Sequence, residues 1–236
     1  MFLEDPDSFN TSSASPADCL QAFKKVSRTA PNVMCITVSN KLSTLYNAAI
    51  DARELARDEL PGITIEVMDS GSATPSEGMI ALAAARAAAE GKDLPEVIQS
   101  AEKVKASVGV IVLLDTIRHA YRSGRIPKIA SMVGSALNIR PILTVSGAVK
   151  FNSMVRSRKQ GIERILRMMR DRVGNRLVHV AVTHAYAPDE AEKLKERISA
   201  EFNCIEIWLS EFSPVMGYAC GTGTVGVAFY VDNPDE

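Results

Sequence analysis

Hydroxyl side chains gather where apolar runs end. Ser39, Asn40, Ser43 and Thr44 follow the run Val33–Val38, and Asp69, Ser70, Ser72 and Thr74 follow Ile63–Met68. Asp115 and Thr116 follow Val108–Leu114, and Thr11, Ser12, Ser13 and Ser15 form a fourth group just before Pro16. A hydroxyl can donate to an oxyanion without adding a charge of its own. A helix N-terminus leaves N–H groups unpaired under a partial positive charge, so hydroxyls placed there make a neutral cradle for an anion. Several such groups at one end of a sheet would form a donor-rich mouth suited to a carboxylate or a phosphate. Each group alone is as simply explained by a turn or an N-cap, which Ser, Thr, Asn and Asp favour anyway.

No second kind of chemistry competes strongly. His119, His179 and His184 are dispersed, and no GxSxG, P-loop or HExxH motif occurs. A serine-dependent acyl hydrolase would need a histidine near Ser43, and no spacing supplies one. Gly221-Thr222-Gly223-Thr224-Val225-Gly226 fits GxGxxG, but a strand follows it where a dinucleotide site needs a helix, so it reads as a tight turn. Arg156, Arg158, Lys159, Arg164, Arg167, Arg170 and Arg172 make one helix strongly basic. That helix is a solvated face or a scaffold surface for an acidic partner. No cluster has metal-ligand spacing.

The elements that must position these residues alternate. Val33–Val38 reads as a buried strand and Leu45, Ala48, Ala49, Ala52, Leu55 and Ala56 as one face of a helix, with Ser43 as its N-cap. Ser15 would cap a helix over Ala17–Arg28 that Pro16 opens. Strand Ile63–Met68, helices over 76–90 and 95–105, and strand Val108–Leu114 continue the pattern. The fold class is α/β, with a mainly parallel first sheet flanked by helices on both faces. A helical stretch over Ile117–Arg140, broken at Ser123–Pro127, leads to strand Pro141–Val145 and a hairpin at Gly147. Helices over 156–172 and 188–201, with strands Leu177–Thr183, Cys204–Leu209 and Thr224–Val231, form a second, smaller α/β unit. The expected domains are 1–145, Rossmann-like, and 146–236.

The 236 residues carry 46% hydrophobic and 23% charged side chains and a formal net charge of −1. That balance gives no global reason to expect nucleic acid or an anionic membrane as partner. No apolar run approaches membrane-spanning length, which argues against stable membrane insertion. The N-terminus has no signal-peptide core and the four scattered cysteines form no CxxC pair, so a cytoplasmic protein with reduced thiols is expected.

The segment Leu114-Asp115-Thr116, Gly124-Arg125-Ile126, then Asn138-Ile139-Arg140-Pro141-Ile142-Leu143 resembles the D-T-L, G-G-R-I and N-I-K-P-I-L motifs of the DegV family of fatty-acid-binding proteins. Thr11-Ser12-x-x-Ser15-Pro16 is similar to the family's T-S-Q-P-S-P, and Ser39-x-x-Leu42-Ser43-x-x-Tyr46 to its S-S-x-L-S-G-T-Y. Asp69-Ser70 matches its D-S or D-T. The resemblance implies two α/β domains with one long-chain fatty acid between them. It implies that Thr11 and Ser43 hold the carboxylate with Ser39 nearby, and that Arg125 lies at the head group or faces a partner. It further implies a carrier without cofactor or metal, not an enzyme, presenting its fatty acid to a separate fatty acid kinase for acyl phosphate formation. The family's opening strand is absent ahead of Thr11. Its late I-G-x-H-x-G-P-G reads Met216-Gly217-Tyr218-Ala219-Cys220-Gly221-Thr222-Gly223, so alanine replaces the histidine and threonine the proline.

Overall fold

The computed structural model describes residues 11–125 and 139–232. Close contacts divide the chain into two units, one of residues 11–73 and 77–106, the other of residues 74–76 and the chain from 107 onward.

The first unit opens with helix α1 (Pro16–Val26). Ser15 and Asp18 close a reciprocal capping box there, with Pro16 in the first turn. Strand β1 (Asn32–Thr37), helix α2 (Leu45–Glu59) and strand β2 (Thr64–Asp69) follow, and the strands pair in parallel from Asn32–Thr64 to Thr37–Asp69. Helices α3 (Pro75–Ala89) and α4 (Leu94–Ser107) complete it. Its core joins Leu20 and Phe23 of α1 to Val33, Ile65 and Ala49, Ala52 and Ala56 of α2. Alanine along that stripe leaves no bulk between helices, so α1 and α2 approach closely. Leu55, expected on the same stripe, stays 51% exposed.

In the second unit six strands take the order β5-β4-β3-β8-β6-β7. They are β3 (Gly109–Leu113), β4 (Arg140–Ser146), β5 (Ala148–Val155), β6 (Val178–His184), β7 (Cys204–Glu211) and β8 (Val225–Val231). Every pairing is antiparallel except β6 with β7. Helices α6 (Arg158–Val173) and α7 (Pro188–Glu201) contribute Ile165, Leu166, Met169, Leu194 and Ile198 to a core with Val180, Val182, Val227 and Phe229. Short helices α5 (Arg118–Arg122) and α8 (Pro214–Cys220) lie in its loops. Of the helical stretch expected over 117–140, α5 is described, and residues 126–138 lie outside the described set.

Two expectations need correction. The division falls near residue 107, and position 145 lies inside β4. The unit expected to be the smaller therefore carries six strands. β3 is not a parallel member of the first sheet; it pairs antiparallel with β4 and β8. All five of its residues are buried. A strand covered on both faces reads the same in sequence whichever partners flank it.

Candidate functional site

Because β1 and β2 are parallel, their C-terminal ends open on the same side and their following loops lie together. Ser70 N–H donates to the Thr37 carbonyl at 3.0 Å, and Ser39 N–H to the Ser72 carbonyl at 2.8 Å. Asp69 Oδ1 accepts from the Asn40 N–H at 3.2 Å and the Gly71 N–H at 2.9 Å, stapling one loop to the other. Ser70 Oγ accepts from the Ser72 N–H at 3.1 Å. The bonds within the loop after β2 are buried or half-buried, and the Asn40 bond that ties the two loops is exposed.

Ser39 is fully buried. Its carbonyl accepts from Leu42 and Ser43 N–H, and its hydroxyl from Lys41 N–H at 3.3 Å. Ser43 is half-buried at the start of α2. The N-cap position belongs to Thr44, whose side chain makes no capping bond, which corrects the expected assignment. Ser43 still serves the helix end, since its Oγ accepts from the Leu45 N–H at 3.2 Å. That bond uses a lone pair and leaves the hydroxyl proton to donate elsewhere. Ser13 Oγ lies 3.5 Å from Ser43 Oγ, so the 11–15 loop reaches the α2 end through Ser13. Thr11 is half-buried in the same loop. Ser15 is occupied by its cap on α1, where its bonds hold the Asp18 carboxyl below the usual range. Groups one and four, with Asp69, Ser70 and Ser72 of group two, thus share one unit, while Thr74 is assigned to the other.

The third group behaves differently. Asp115 lies in the other unit and accepts from two guanidiniums, and Thr116 Oγ1 accepts from Arg118 N–H at 3.3 Å. Arg125 is exposed; its Nη1 donates to the Ser123 carbonyl at 2.7 Å, which closes the end of α5. Ile126, Pro127 and Asn138 of the quoted motifs lie outside the described residues. His179 is held between Glu206 and Asp232 at 2.5 and 3.0 Å and stacks on Tyr230, while His184 Nδ1 accepts from Ala187 N–H. The His119 ring packs against Gly221 so closely that a Cβ there would lie 2.2 Å from it. None of the three histidines shares a unit with Ser43. Among the described residues no three His, Cys, Asp or Glu are placed to hold a metal, and no helix is long and apolar enough to cross a membrane.

Ser13 and Thr74, grouped in the sequence as turn hydroxyls, take particular settings in the structure, and Glu77 beside them was not singled out. Ser13 needed the meeting of two loops to matter. Thr74 adopts φ 64°, rare for a β-branched residue, and its buried hydroxyl has no partner among the described residues. Its place before Pro75, which biases it away from the right-handed helical region, was the available signal. Glu77, in the first turn of α3, is buried enough that its acid is pushed up to about 7. Burial likewise drives the Cys35 thiol up to about 11, with Cys19 and Glu77 adding to the shift, so Cys35 is inert at neutral pH.

A family model described as "uncharacterised protein, DegV family" matches residues 4–232. A DegV domain-containing protein of Clostridium perfringens is 30% identical over 94% of this chain and 80% of its own length. A DegV family protein of Thermus thermophilus, described by its fatty acid binding, superposes with TM-score 0.85 at 26% identity, over 94% of this chain and 79% of its own. DegV of Bacillus subtilis, described as a fatty acid binding protein, gives TM-score 0.83 at 25% identity, over 94% and 79%.

Proposed function

The chain belongs to the DegV family, and from that premise we propose that it binds a long-chain fatty acid and does no chemistry of its own. The observation that carries the head-group part is the approach of Ser13 to Ser43 at the amino end of α2. There, hydroxyls with a proton to give stand beside a helix N-terminus, a neutral setting that stabilises a carboxylate. Thr11 and Ser43 hold the carboxylate, and the buried Ser39 shapes the loop beneath them. The fatty acid is the ligand, and no cofactor is required.

Magnitudes assign the roles. Burying about fifteen methylenes gains roughly 12 kcal/mol at about 0.8 each, before association costs of about 4–15 kcal/mol. A hydrogen bond to a carboxylate contributes roughly 1.5–3 kcal/mol. The tail therefore sets affinity and the hydroxyls set orientation, as a carrier that offers its head group to another protein requires. That other protein is a fatty acid kinase, with Arg125 facing it from the end of α5, in a cytoplasmic setting. A serine hydrolase fits less well, since Ser43 has no histidine in its unit.

The test is mass spectrometry of solvent extracts from the purified protein, together with binding by Thr11→Ala and Ser43→Ala. We expect a co-purifying long-chain acid and roughly ten- to hundredfold weaker binding in each variant. Lipid-free protein that also refuses added fatty acid sinks the proposal. Unchanged affinity in the double variant removes the two hydroxyls from the site.

A further inference from the structure

Five chain segments of the second unit meet at one end of its sheet. β3 ends there, and β4 and β8, antiparallel to it, begin there. β5, antiparallel to β4, ends there and delivers the start of α6. The topology thereby collects Asp115, Arg140, Arg158 and the turn at Gly223. Asp115 Oδ1 accepts from Arg140 Nε at 3.0 Å and from Arg158 Nη2 at 2.9 Å. The same Nη2 donates to the Gly223 carbonyl at 2.9 Å. A Cβ at Gly223 would lie 3.1 Å from Asp115 Cβ and 3.2 Å from Arg158 Nη2, so glycine lets the turn come this near.

Two guanidiniums thus share one carboxylate oxygen, and the cluster keeps a surplus positive charge. Arg158 Nη1 is buried with no acceptor among the described residues. Arg140 spends only Nε on Asp115, and its two Nη groups make no other bond among the described residues. Buried donors are nearly always paired, so one left over beside spare guanidinium N–H groups points to an acceptor that arrives from outside. The amino end of the sixteen-residue α6, capped by Ser157, adds its dipole to the same place.

We propose that Arg140 and Arg158, organised by Asp115 against the Gly223 turn, bind a phosphoryl dianion. Planar forks with free N–H groups suit tetrahedral phosphate oxygens, and doubled guanidinium charge favours a dianion over a carboxylate. The site goes beyond the fatty-acid reading, and its probe is inorganic phosphate, which needs no lipid. The phosphoryl group belongs either to a lipid phosphate or to a nucleotide.

Phosphorus NMR titration of the full chain with inorganic phosphate decides the matter. We expect saturable broadening in the wild type, weakened about tenfold or more by Arg140→Gln and by Arg158→Lys. Asp115→Asn should tighten phosphate binding, because it removes the competing carboxylate. A purely structural ion pair predicts the reverse pattern: a lower melting temperature in all three variants and no change in phosphate affinity. That pattern, or no saturable effect in the wild type, overturns the proposal. Displacement of phosphate by hexadecylphosphonate assigns it to a lipid phosphate and displacement by ATP to a nucleotide, while displacement by neither overturns it. Saturable phosphate binding by protein that refuses fatty acid leaves this site standing and ends the carrier reading instead.

Discussion

Glu77 occupies the first turn of α3, where the helix end alone would favour its carboxylate. Burial wins, moving its acid from the ordinary 4.5 up to about 7. The folded chain therefore keeps a proton that the unfolded chain releases, and stability falls as pH rises through that window. Below it both states are protonated, and above it the penalty is constant. Glu77→Gln should melt alongside the wild type near pH 4 and above it near pH 8, because glutamine has no proton to lose. Parallel melting curves at both pH values would mean that the carboxyl is solvated in the folded state. Arg125 carries a prediction of another kind. It is exposed and its side chain bonds only the Ser123 carbonyl among the described residues, so Arg125→Ala should lower stability by less than about 1 kcal/mol. Lipid recovered in extracts should be unchanged, whereas acyl phosphate formation with a fatty acid kinase should drop. Folded but lipid-free variant protein would make Arg125 a ligand of the head group. The same assay applied to Ala219→His asks whether a histidine at the family's position raises phosphorylation more than lipid affinity, as the proposed carrier role expects.

Helix α6 shows how one small residue sets the distance between a helix and a sheet. A Cβ on Gly161 would lie 2.4 and 2.6 Å from the methyls of Leu113, which is 1% exposed in β3. Gly161→Ala must push α6 off the sheet or force Leu113 from its rotamer, at a cost of about 1–3 kcal/mol. Leu113→Ala alone should cost about 2–5 kcal/mol as a cavity. Combined, the two should destabilise by clearly less than their sum in denaturant melts, because the added methyl enters the space the leucine leaves. Elements of this kind were unevenly legible. The start of α1 could be read from Ser15, Pro16 and Asp18 alone, because a capping box is local chemistry. The glycine turn at 221–223 was also local, and β8 follows it as expected. Helix α8 was not anticipated: seven residues with Gly217 inside them give no periodic signal. Nor was the pairing of β3, since its apolar run specifies burial without naming neighbours. At the candidate site the hydroxyl loops were visible as turn chemistry. Ser13 and Thr74 stood among them, but the approach of Ser13 to Ser43 and the positive φ of Thr74 are properties of the folded loops that no residue spacing encodes.

At the scale of the whole chain, the two sheets divide the work that the sequence spread along one pattern of alternating strands and helices. The parallel pair β1–β2 needs a crossover helix and therefore brings two loop ends together, which is how the hydroxyls come to share a side. The antiparallel β3, β4, β5 and β8 gather loop ends from distant parts of the chain, which is how arginines eighteen residues apart meet one aspartate. A ligand that binds only the folded chain must raise its stability by mass action. At a free fatty acid concentration about one hundred times the dissociation constant, the gain is roughly 2.7 kcal/mol. For a chain of this length that corresponds to a melting temperature raised by about 5–10 °C. Protein stripped of lipid by a hydrophobic resin should melt lower by that margin and recover when a long-chain acid is restored. A short-chain acid carries the same carboxylate but too few methylenes, and it should restore almost nothing at equal concentration. Ser43→Ala separates the two contributions within one measurement. Saturated with long-chain acid, it should recover most of the shift, since the tail supplies most of the binding energy. Recovery by the short-chain acid as complete as by the long would put the binding energy in the head group and leave no role for a buried tail.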